Sequence, residues 1–324
     1  LDSNGGDILF YGQSDTAGGF ASSYATGLGL YASTITSNGG NVLLRGSSTG
    51  ADAGSDDAGV VLDGTTIDAG TGNVDVFGTG QRDVAGIIAN AGSIASAGGA
   101  VLFDGRSEGG DGVRMDGFGI ASGGGDISIL GYGDGIGVYA EYADLDSGGG
   151  NIVVHGEGGT GNGVDMSALL ASGGGDISVY GSSTDAAGLV FGDGYYAGMT
   201  SSGGDIELEG HGATGGVALY AGSYGSSAID SGGGDITVTG AASAAGAIGV
   251  YSDGVDLIGG AGDVTVDGSA PSGIGILLAN GAGVSTTTGA IALIGTGATF
   301  GLDIADGAID TDSGDISLTG TALD

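Results

Sequence analysis

The 324-residue chain has no cysteine, a single proline and only four arginines as its basic residues besides two histidines. Without cysteine, neither a disulfide framework nor a thiolate site can form. Collagen is excluded as well, because it needs abundant proline along with glycine, and here 81 glycines accompany one proline. The 39 acidic residues give a net charge of −35. This charge argues against binding to nucleic acid or to an anionic membrane surface, since both require basic patches. No apolar run is long enough for membrane insertion.

The chain instead repeats one ten-residue phrase. SGGGDISVYG at residues 172–181 recurs in close variants at 122–131, 147–156 and 231–240. Aligned on the Asp, Asn or Ala that follows the glycines, the sequence has anchor positions at 7, 41, 73, 100, 126, 151, 176, 205, 235, 263, 290 and 315. The anchors lie 25 to 34 residues apart. A repeat of this kind predicts a solenoid in which each repeat forms one coil, so residues 1–324 are interpreted as a single repeat domain.

Every anchor sits in the same short pattern. In the coil that starts at Asp126, Gly125 precedes the anchor, the apolar Ile127 and Ile129 follow at alternate positions, and Gly131 closes the pattern. Alternation of apolar and other residues predicts a short strand with one buried face. The flanking glycines are expected to supply the unusual backbone angles of sharp corners.

Two further strands are predicted in each coil. In the same coil the second strand is expected to place Ile136 and Val138 inward, and the third strand Leu145, six residues before the next anchor. The second-strand slots of later coils are filled by Ile248/Val250, Ile274/Ile276 and Phe300/Leu302. The apolar residue of the third strand lies six residues before the next anchor in every coil. Because this separation is constant, inward residues can lie over their equivalents in the next coil. We predict an all-β, right-handed parallel β-helix of roughly triangular section, with about 11–12 coils.

The two ends of the chain follow the interior pattern. Leu1 lies six residues before Asp7, in phase with Leu145, and the last residues continue just past a first strand. Solenoids that stand alone close their ends with atypical, polar caps. The sequence therefore predicts that the chain belongs to something longer, either a larger polypeptide or copies stacked head to tail.

The coils follow variants of one combined pattern: GGDI-x-V-x-G, then G-I-x-V, then I-x-S-GG. This pattern resembles the repeat region of filamentous-haemagglutinin-type exoproteins and related giant bacterial β-helical adhesins. The resemblance covers the whole chain, but it concerns the style of repeat and no functional motif. It implies an extracellular or cell-surface location and a role as stalk, adhesin or matrix fibre. No secretion domain of the two-partner kind is present in the sequence.

Nothing in the sequence concentrates the groups that catalysis needs. Acid–base hydrolysis requires paired carboxylates at one place, whereas the carboxylates here are spread evenly over the coils. The two histidines, His155 and His211, fall on different coils, and His155 occupies an outward slot. The sequence predicts that the protein is not an enzyme.

The anchors themselves suggest a possible metal site. Carboxylates on successive coils would lie about 5 Å apart and repel one another by roughly 1 kcal/mol in water. Two interpretations are open: each carboxylate accepts hydrogen bonds from nearby backbone N–H groups, or the ladder binds a divalent cation, with Ca²⁺ as the candidate cofactor. The cation interpretation rests on four consecutive anchors: Asp176, Asp205, Asp235 and Asp263.

Aromatic residues offer a second possible site. Tyr31, Tyr139, Tyr220 and Tyr251 follow the second strand at one equivalent slot. Such tyrosines can stack on sugars, or neighbours such as Tyr220 and Tyr251 can simply stabilise a coil face.

Taken as a whole, the sequence predicts a structural segment of a bacterial fibre, stalk or filament that self-associates. The alternative is an adhesin module that binds glycans or cell surfaces through variable loops, of which Gln13–Gly27 and Ser47–Gly59 are the longest.

Overall fold

The computed structural model describes residues 1–14, 26–49, 57–192, 197–222 and 227–323. These residues form 32 strands and no helix. No helix long and apolar enough to cross a membrane was found among them. Much of the two predicted variable loops, residues 15–25 and 50–56, lies outside the described residues.

The first side of every coil is a seven-residue strand, and twelve such strands stack into one parallel sheet in chain order. They are β1 (Ile8–Ser14), β4 (Val42–Ser48), β7 (Val74–Gly80), β10 (Val101–Ser107), β13 (Ile127–Gly133), β15 (Ile152–Gly158), β17 (Ile177–Ser183), β20 (Ile206–Gly212), β23 (Ile236–Ala242), β26 (Val264–Ala270), β29 (Ile291–Gly297) and β32 (Ile316–Ala322). Each strand begins directly after an anchor, where the glycine run ends and the apolar alternation starts.

The second and third sides stack in the same way, strand on equivalent strand. The second-side strands are β2 (Leu28–Tyr31), β5 (Ala58–Asp63), β8 (Ala85–Asn90), β11 (Val113–Asp116), β18 (Ala187–Phe191), β21 (Gly215–Tyr220), β24 (Ile248–Asp253), β27 (Ile274–Ala279) and β30 (Phe300–Ala305). The third-side strands are β3 (Thr34–Thr36), β6 (Thr66–Asp68), β9 (Ser93–Ala95), β12 (Gly119–Ala121), β19 (Gly198–Thr200), β22 (Ala228–Asp230), β25 (Asp256–Gly260), β28 (Gly283–Thr286) and β31 (Ala308–Thr311). In two coils β14 (Val138–Asp146) and β16 (Val164–Ala171) each span both sides.

The predicted parallel β-solenoid is therefore confirmed, and the predicted register holds on two of its three sides. On the first side Ile127 pairs with Ile152, which pairs with Ile177. On the third side Leu145 pairs with Ile120 and Leu170. Most equivalents stack without offset, with irregularities in β14 and β25, and their side chains form columns through one large hydrophobic core. The right-handed sense of the coil stays a prediction.

The second side departs from the predicted register in four coils. In the coil of Asp126, Val138 pairs with Val113 and Ala140 with Met115, so the inward pair is Val138/Ala140. Ile136, predicted to point inward, is only half-buried and lies outside the core. The prediction was wrong by two residues here, and by the same step at Ile248, Ile274 and Phe300. In these coils the corner between the first and second sides contains an extra apolar residue. Apolar character alone does not show where that corner ends and the second strand begins.

The glycines that flank the first strand serve a different purpose from the one expected. Neither Gly125 nor Gly131 has a positive φ. A Cβ on Gly131 would lie 2.0 Å from the carbonyl oxygen of Gly137, and one on Gly125 would lie 2.3 Å from that of Gly99. These positions need glycine because two backbones approach closely. The left-handed conformation belongs to a neighbouring position, such as Gly124 with φ of +116°.

The corner between third and first side contains a buried row of hydroxyl groups. Ser147 Oγ donates to the carbonyl oxygen of Gly150 in its own coil at 2.5 Å and contacts that of Ser172 in the next coil at 3.1 Å. Serine or threonine fills this slot in most coils: Ser3, Ser37, Ser96, Ser122, Ser147, Ser172, Ser201, Ser231, Thr286 and Thr311. A hydroxyl of this size satisfies carbonyl oxygens that the tight turn would otherwise leave without a partner in the interior.

A charge placed in the core column tests the register. Ile129 is 1% exposed, while the adjacent Ser128 faces outward. We expect Ile129→Asp to lower the free energy of unfolding by more than about 3 kcal/mol, because the carboxylate would have no partner in an apolar column. Ser128→Asp, the matched control, is expected to change it by no more than about 0.5 kcal/mol. Denaturant unfolding followed by circular dichroism measures both, and equal effects would contradict the register.

Candidate functional site

The anchor side chains form a hydrogen-bonded ladder along the outside of the solenoid. The Oδ1 atom of each Asp or Asn anchor accepts a hydrogen bond from the backbone N–H of the anchor in the next coil. Asp176 Oδ1 accepts from Asp205 N at 2.9 Å, and Asp205 Oδ1 accepts from Asp235 N at 2.8 Å. The same bond joins Asn151 to Asp176 and Asp235 to Asp263. The ladder therefore links coils to one another, because the backbone N–H groups that the anchors accept belong to the next coil.

The ladder is interrupted where the anchor is alanine. Ala100 N and Ala290 N donate to the Oδ1 atoms of Asn73 and Asp263, at 2.9 and 2.7 Å. Neither alanine has a side-chain acceptor to offer the following anchor, Asp126 or Asp315. Elsewhere Asp and Asn serve equally, as at Asn41, which accepts from Asn73 N at 2.9 Å. The acceptor oxygen, and not the negative charge, is the feature that the ladder uses.

The four predicted cation ligands, Asp176, Asp205, Asp235 and Asp263, are exposed and consecutive in this ladder. Each uses one carboxylate oxygen to accept a backbone N–H. Within the described ranges, no three His, Cys, Asp or Glu side chains come together in a group suited to a metal ion. The hydrogen-bond pattern accounts for the ladder without a cation, and Ca²⁺ binding remains a prediction.

The tyrosines of the second side are engaged with neighbouring side chains. Tyr139 donates its hydroxyl to Glu141 at 2.7 Å, and Tyr251 donates to Asp253 at 2.9 Å. Burial, with the nearby carboxylate, raises the pKa of each phenol to about 12. Tyr220 meets Tyr251 edge-on, with ring centroids 5.6 Å apart. These contacts fit the interpretation that the tyrosines stabilise a coil face, and only Tyr31, 53% exposed, offers most of its surface to a ligand.

The outer face of the first side carries a run of stacked rings that the sequence patterns did not reveal. Tyr132, His155, Tyr180 and His211 lie on four successive coils, with consecutive centroids 5.6, 4.6 and 6.0 Å apart. His155 Nε2 lies 3.1 Å from Glu157 Oε1, and His211 Nε2 lies 2.6 Å from Glu209 Oε1. In each pair the carboxylate stands two residues away on the same strand, hence on the same face.

Two arginines extend this face toward the first coils. The guanidinium of Arg106 lies 4.7 Å from the ring centre of Tyr132 and bonds to Asp104, with Nε to Oδ1 at 3.0 Å. Arg45 lies over the ring of Phe77, 5.4 Å from its centre. Within the described part of the chain, Arg106 and Asp104 form the only arginine–carboxylate ion pair, so Arg45 has no carboxylate within 4.0 Å.

Several of these side chains, including Arg45, Arg106, Tyr132 and His211, line a trough that follows the corner between first and second side. Its first section, of about 600 Å³, is lined by Tyr11, Gln13, Arg45, Ser47, Phe77, Thr79, Asp104 and Arg106 together with strand glycines. A second section shares Thr79 and Arg106 with the first, and a third shares Glu157 and Thr184 with the second. The sections thus adjoin and run parallel to the solenoid axis, from the coil of Asp7 to the coil of Asp263.

Sequence reasoning missed this trough for an identifiable reason. Its ring-bearing residues fall in two outward slots, three and five residues after the first inward residue of the strand: Phe77 occupies the nearer slot, and Tyr132 and His211 the farther one. Inspection of a single slot shows no repeat. Both slots face outward, and listing them together along twelve coils would have revealed the row.

Comparison of the chain with protein-family models, with curated proteins and with solved structures finds no match. The assignment to a class therefore rests on the fold: the chain is a β-solenoid repeat protein.

The interrupted anchor ladder gives a test by substitution. Ala100→Asn restores an acceptor for Asp126 N, so we expect the free energy of unfolding to rise by about 0.5–1.5 kcal/mol. Asn151→Ala removes the acceptor for Asp176 N and is expected to lower it by a similar amount. Ala100→Leu adds a side chain without an acceptor and serves as the control. Stabilisation by leucine as large as that by asparagine would contradict the role of the ladder.

The charge of the ladder gives a second test. We expect added NaCl or Ca²⁺ to raise the melting temperature, because screening acts over about 8–10 Å, which exceeds the spacing of the coils. Changing Asp176, Asp205, Asp235 and Asp263 together to Asn keeps the acceptor oxygens, so this variant should melt higher at low salt and respond less to salt.

The two ions distinguish screening from binding. If Ca²⁺ stabilises the parent chain beyond NaCl of equal ionic strength, and the four-Asn variant loses that excess, the cation interpretation holds. A melting temperature that chelator and low salt leave untouched would contradict the charge prediction for the ladder.

Proposed function

We propose that the chain is a structural segment of an extracellular bacterial fibre, stalk or matrix filament, in the manner of the filamentous-haemagglutinin-type repeat regions that its sequence resembles. The uniform stack supports this proposal. A column of equivalent residues runs through every coil, and the hydrogen bonds between coils lie along one axis. Such an architecture transmits force along that axis and presents a long surface, which are the properties a stalk needs.

The regular pairing between coils carries the proposal furthest. Each first-side strand from β4 to β29 pairs with an equivalent strand on both sides, and the inward Leu293 is 0% exposed between them. In β32, the last strand described, the equivalent inward residue Leu318 is 48% exposed. The same parallel pairing extends a core column from one coil to the next, whether the next coil is part of this polypeptide or of another copy.

An adhesin role is the second candidate, and the trough favours it. Exposed aromatic rings, and a guanidinium without an acidic partner among the described residues, are groups that bind ligands. A stalk and an adhesive surface are compatible within one solenoid, because the inward columns and the outward slots are chosen independently.

Self-association of the chain tests the structural proposal. We expect it to form end-to-end oligomers whose proportion rises with concentration, observed by sedimentation velocity and by electron microscopy as thin filaments. Leu318→Asp places a charge in the exposed core column of the outer coil, and should reduce association at least tenfold while circular dichroism stays unchanged. Ser317→Asp, on the outward face of the same strand, is the control. A parent chain that stays monomeric at all concentrations would count against head-to-tail association.

A further inference from the structure

We propose that the first section of the trough is a binding site for a linear oligosaccharide that carries carboxylate groups, a uronic-acid-containing glycan. This inference goes beyond the structural role proposed above and does not depend on it. Its basis is the set of side chains at one place: two aromatic residues, two guanidiniums and several hydrogen-bonding groups along an open groove.

The shape of the groove favours a chain-like ligand. A volume of about 600 Å³ lies in the range of small-molecule sites. The first and second sections adjoin along the axis, because Thr79 and Arg106 line both. A compact ligand would use only part of this space, whereas a linear polymer can lie along it.

The aromatic residues suit sugar rings. Tyr11 is 63% exposed, and the Phe77 ring lies in the same section. The apolar faces of pyranose rings stack on such side chains, while hydroxyl groups require donors and acceptors at the rim. Gln13, Ser47 and Thr79 line that rim.

The charge of the groove selects the acidic class of sugar. Arg45 and Arg106 contribute two positive charges and Asp104 one negative charge, which gives +1 in a chain whose total is −35. Arg106 is already paired with Asp104, whereas Arg45 has no carboxylate partner among the described residues. Its guanidinium stays over Phe77 with its N–H donors available to the groove. Guanidinium groups bind carboxylates through two parallel hydrogen bonds, and stacking on a ring leaves that edge open.

The overall negative charge does not prevent such binding. At physiological ionic strength charges are screened over about 8 Å, so carboxylates several coils away contribute little to the potential at Arg45.

The test is calorimetric titration of the full chain with oligogalacturonate, alongside its fully methyl-esterified form of the same length. We expect saturable binding of the acid, and binding of the neutral ester at least tenfold weaker. Arg45→Gln should weaken binding of the acid by about tenfold, the effect of losing a charge-assisted hydrogen bond, and should leave binding of the ester unchanged. Phe77→Leu should weaken both ligands.

Arg114→Gln is the matched control, since it removes the same charge from a guanidinium that lies over Tyr139 on the second side, outside the groove. No saturable binding of the acid, equal affinity for acid and ester, or equal loss in Arg114→Gln and Arg45→Gln would each overturn the proposal. Sedimentation of the same variants separates it from the fibre proposal. If Arg45→Gln abolishes association of the chain with itself in place of glycan binding, the groove belongs to a second copy and the inference is wrong.

Discussion

A parallel stack of coils has one geometric constraint: each inward side chain must lie directly over its equivalent, about 4.8 Å away, in the next coil. If one coil shifts by a single residue, its whole inward set turns outward. The chain satisfies this constraint through the corner between third and first side, whose length is the same in all coils. Variation in repeat length is confined to the remaining corners, where a longer loop costs little because it extends into solvent.

Two rows of polar side chains hold that corner. On the inside, hydroxyl groups such as Ser147 Oγ satisfy carbonyl oxygens of two successive coils. On the outside, anchors such as Asp176 accept the backbone N–H of the next anchor. Both rows repeat along the axis, as the coils do. The backbone groups that a tight turn takes away from water thereby find partners.

Most of the fold was predictable from the sequence because nearly all inward slots hold apolar residues, and Ile127, Ile129 and Leu145 were placed correctly. Ile136 was not, since a corner residue and an inward residue can both be isoleucine, and only pairing with the neighbouring coil decides between them. The role of Gly131 was missed for a similar reason: sequence shows that glycine is required but not whether φ or close contact requires it. The outward ring row at His155 and Tyr180 was missed because no core constraint fixes outward residues.

The inward slots determine the fold, and the outward slots carry the residues that could bind a ligand. The core and the two polar rows use the inward and corner positions of each coil, which leaves the outward positions free to vary. The side chains of the trough's first section, Arg45 and Phe77 among them, occupy such positions. A solenoid can therefore acquire a binding surface along its length without any change in the residues that stack it.

The most direct test of this account is amide hydrogen exchange at the anchors, resolved by residue with nuclear magnetic resonance. Asp126 and Asn151 are anchors of adjacent interior coils with the same glycine run before them, but only Asn151 N has a side-chain acceptor in the preceding coil, Asp126 Oδ1 at 2.8 Å. The account predicts that the amide of Asn151 is protected, that the amide of Asp126 exchanges at least tenfold faster, and that Ala100→Asn slows Asp126 to the rate of Asn151. Equal protection of the two amides in the parent chain would contradict the claim that the anchor ladder joins the coils.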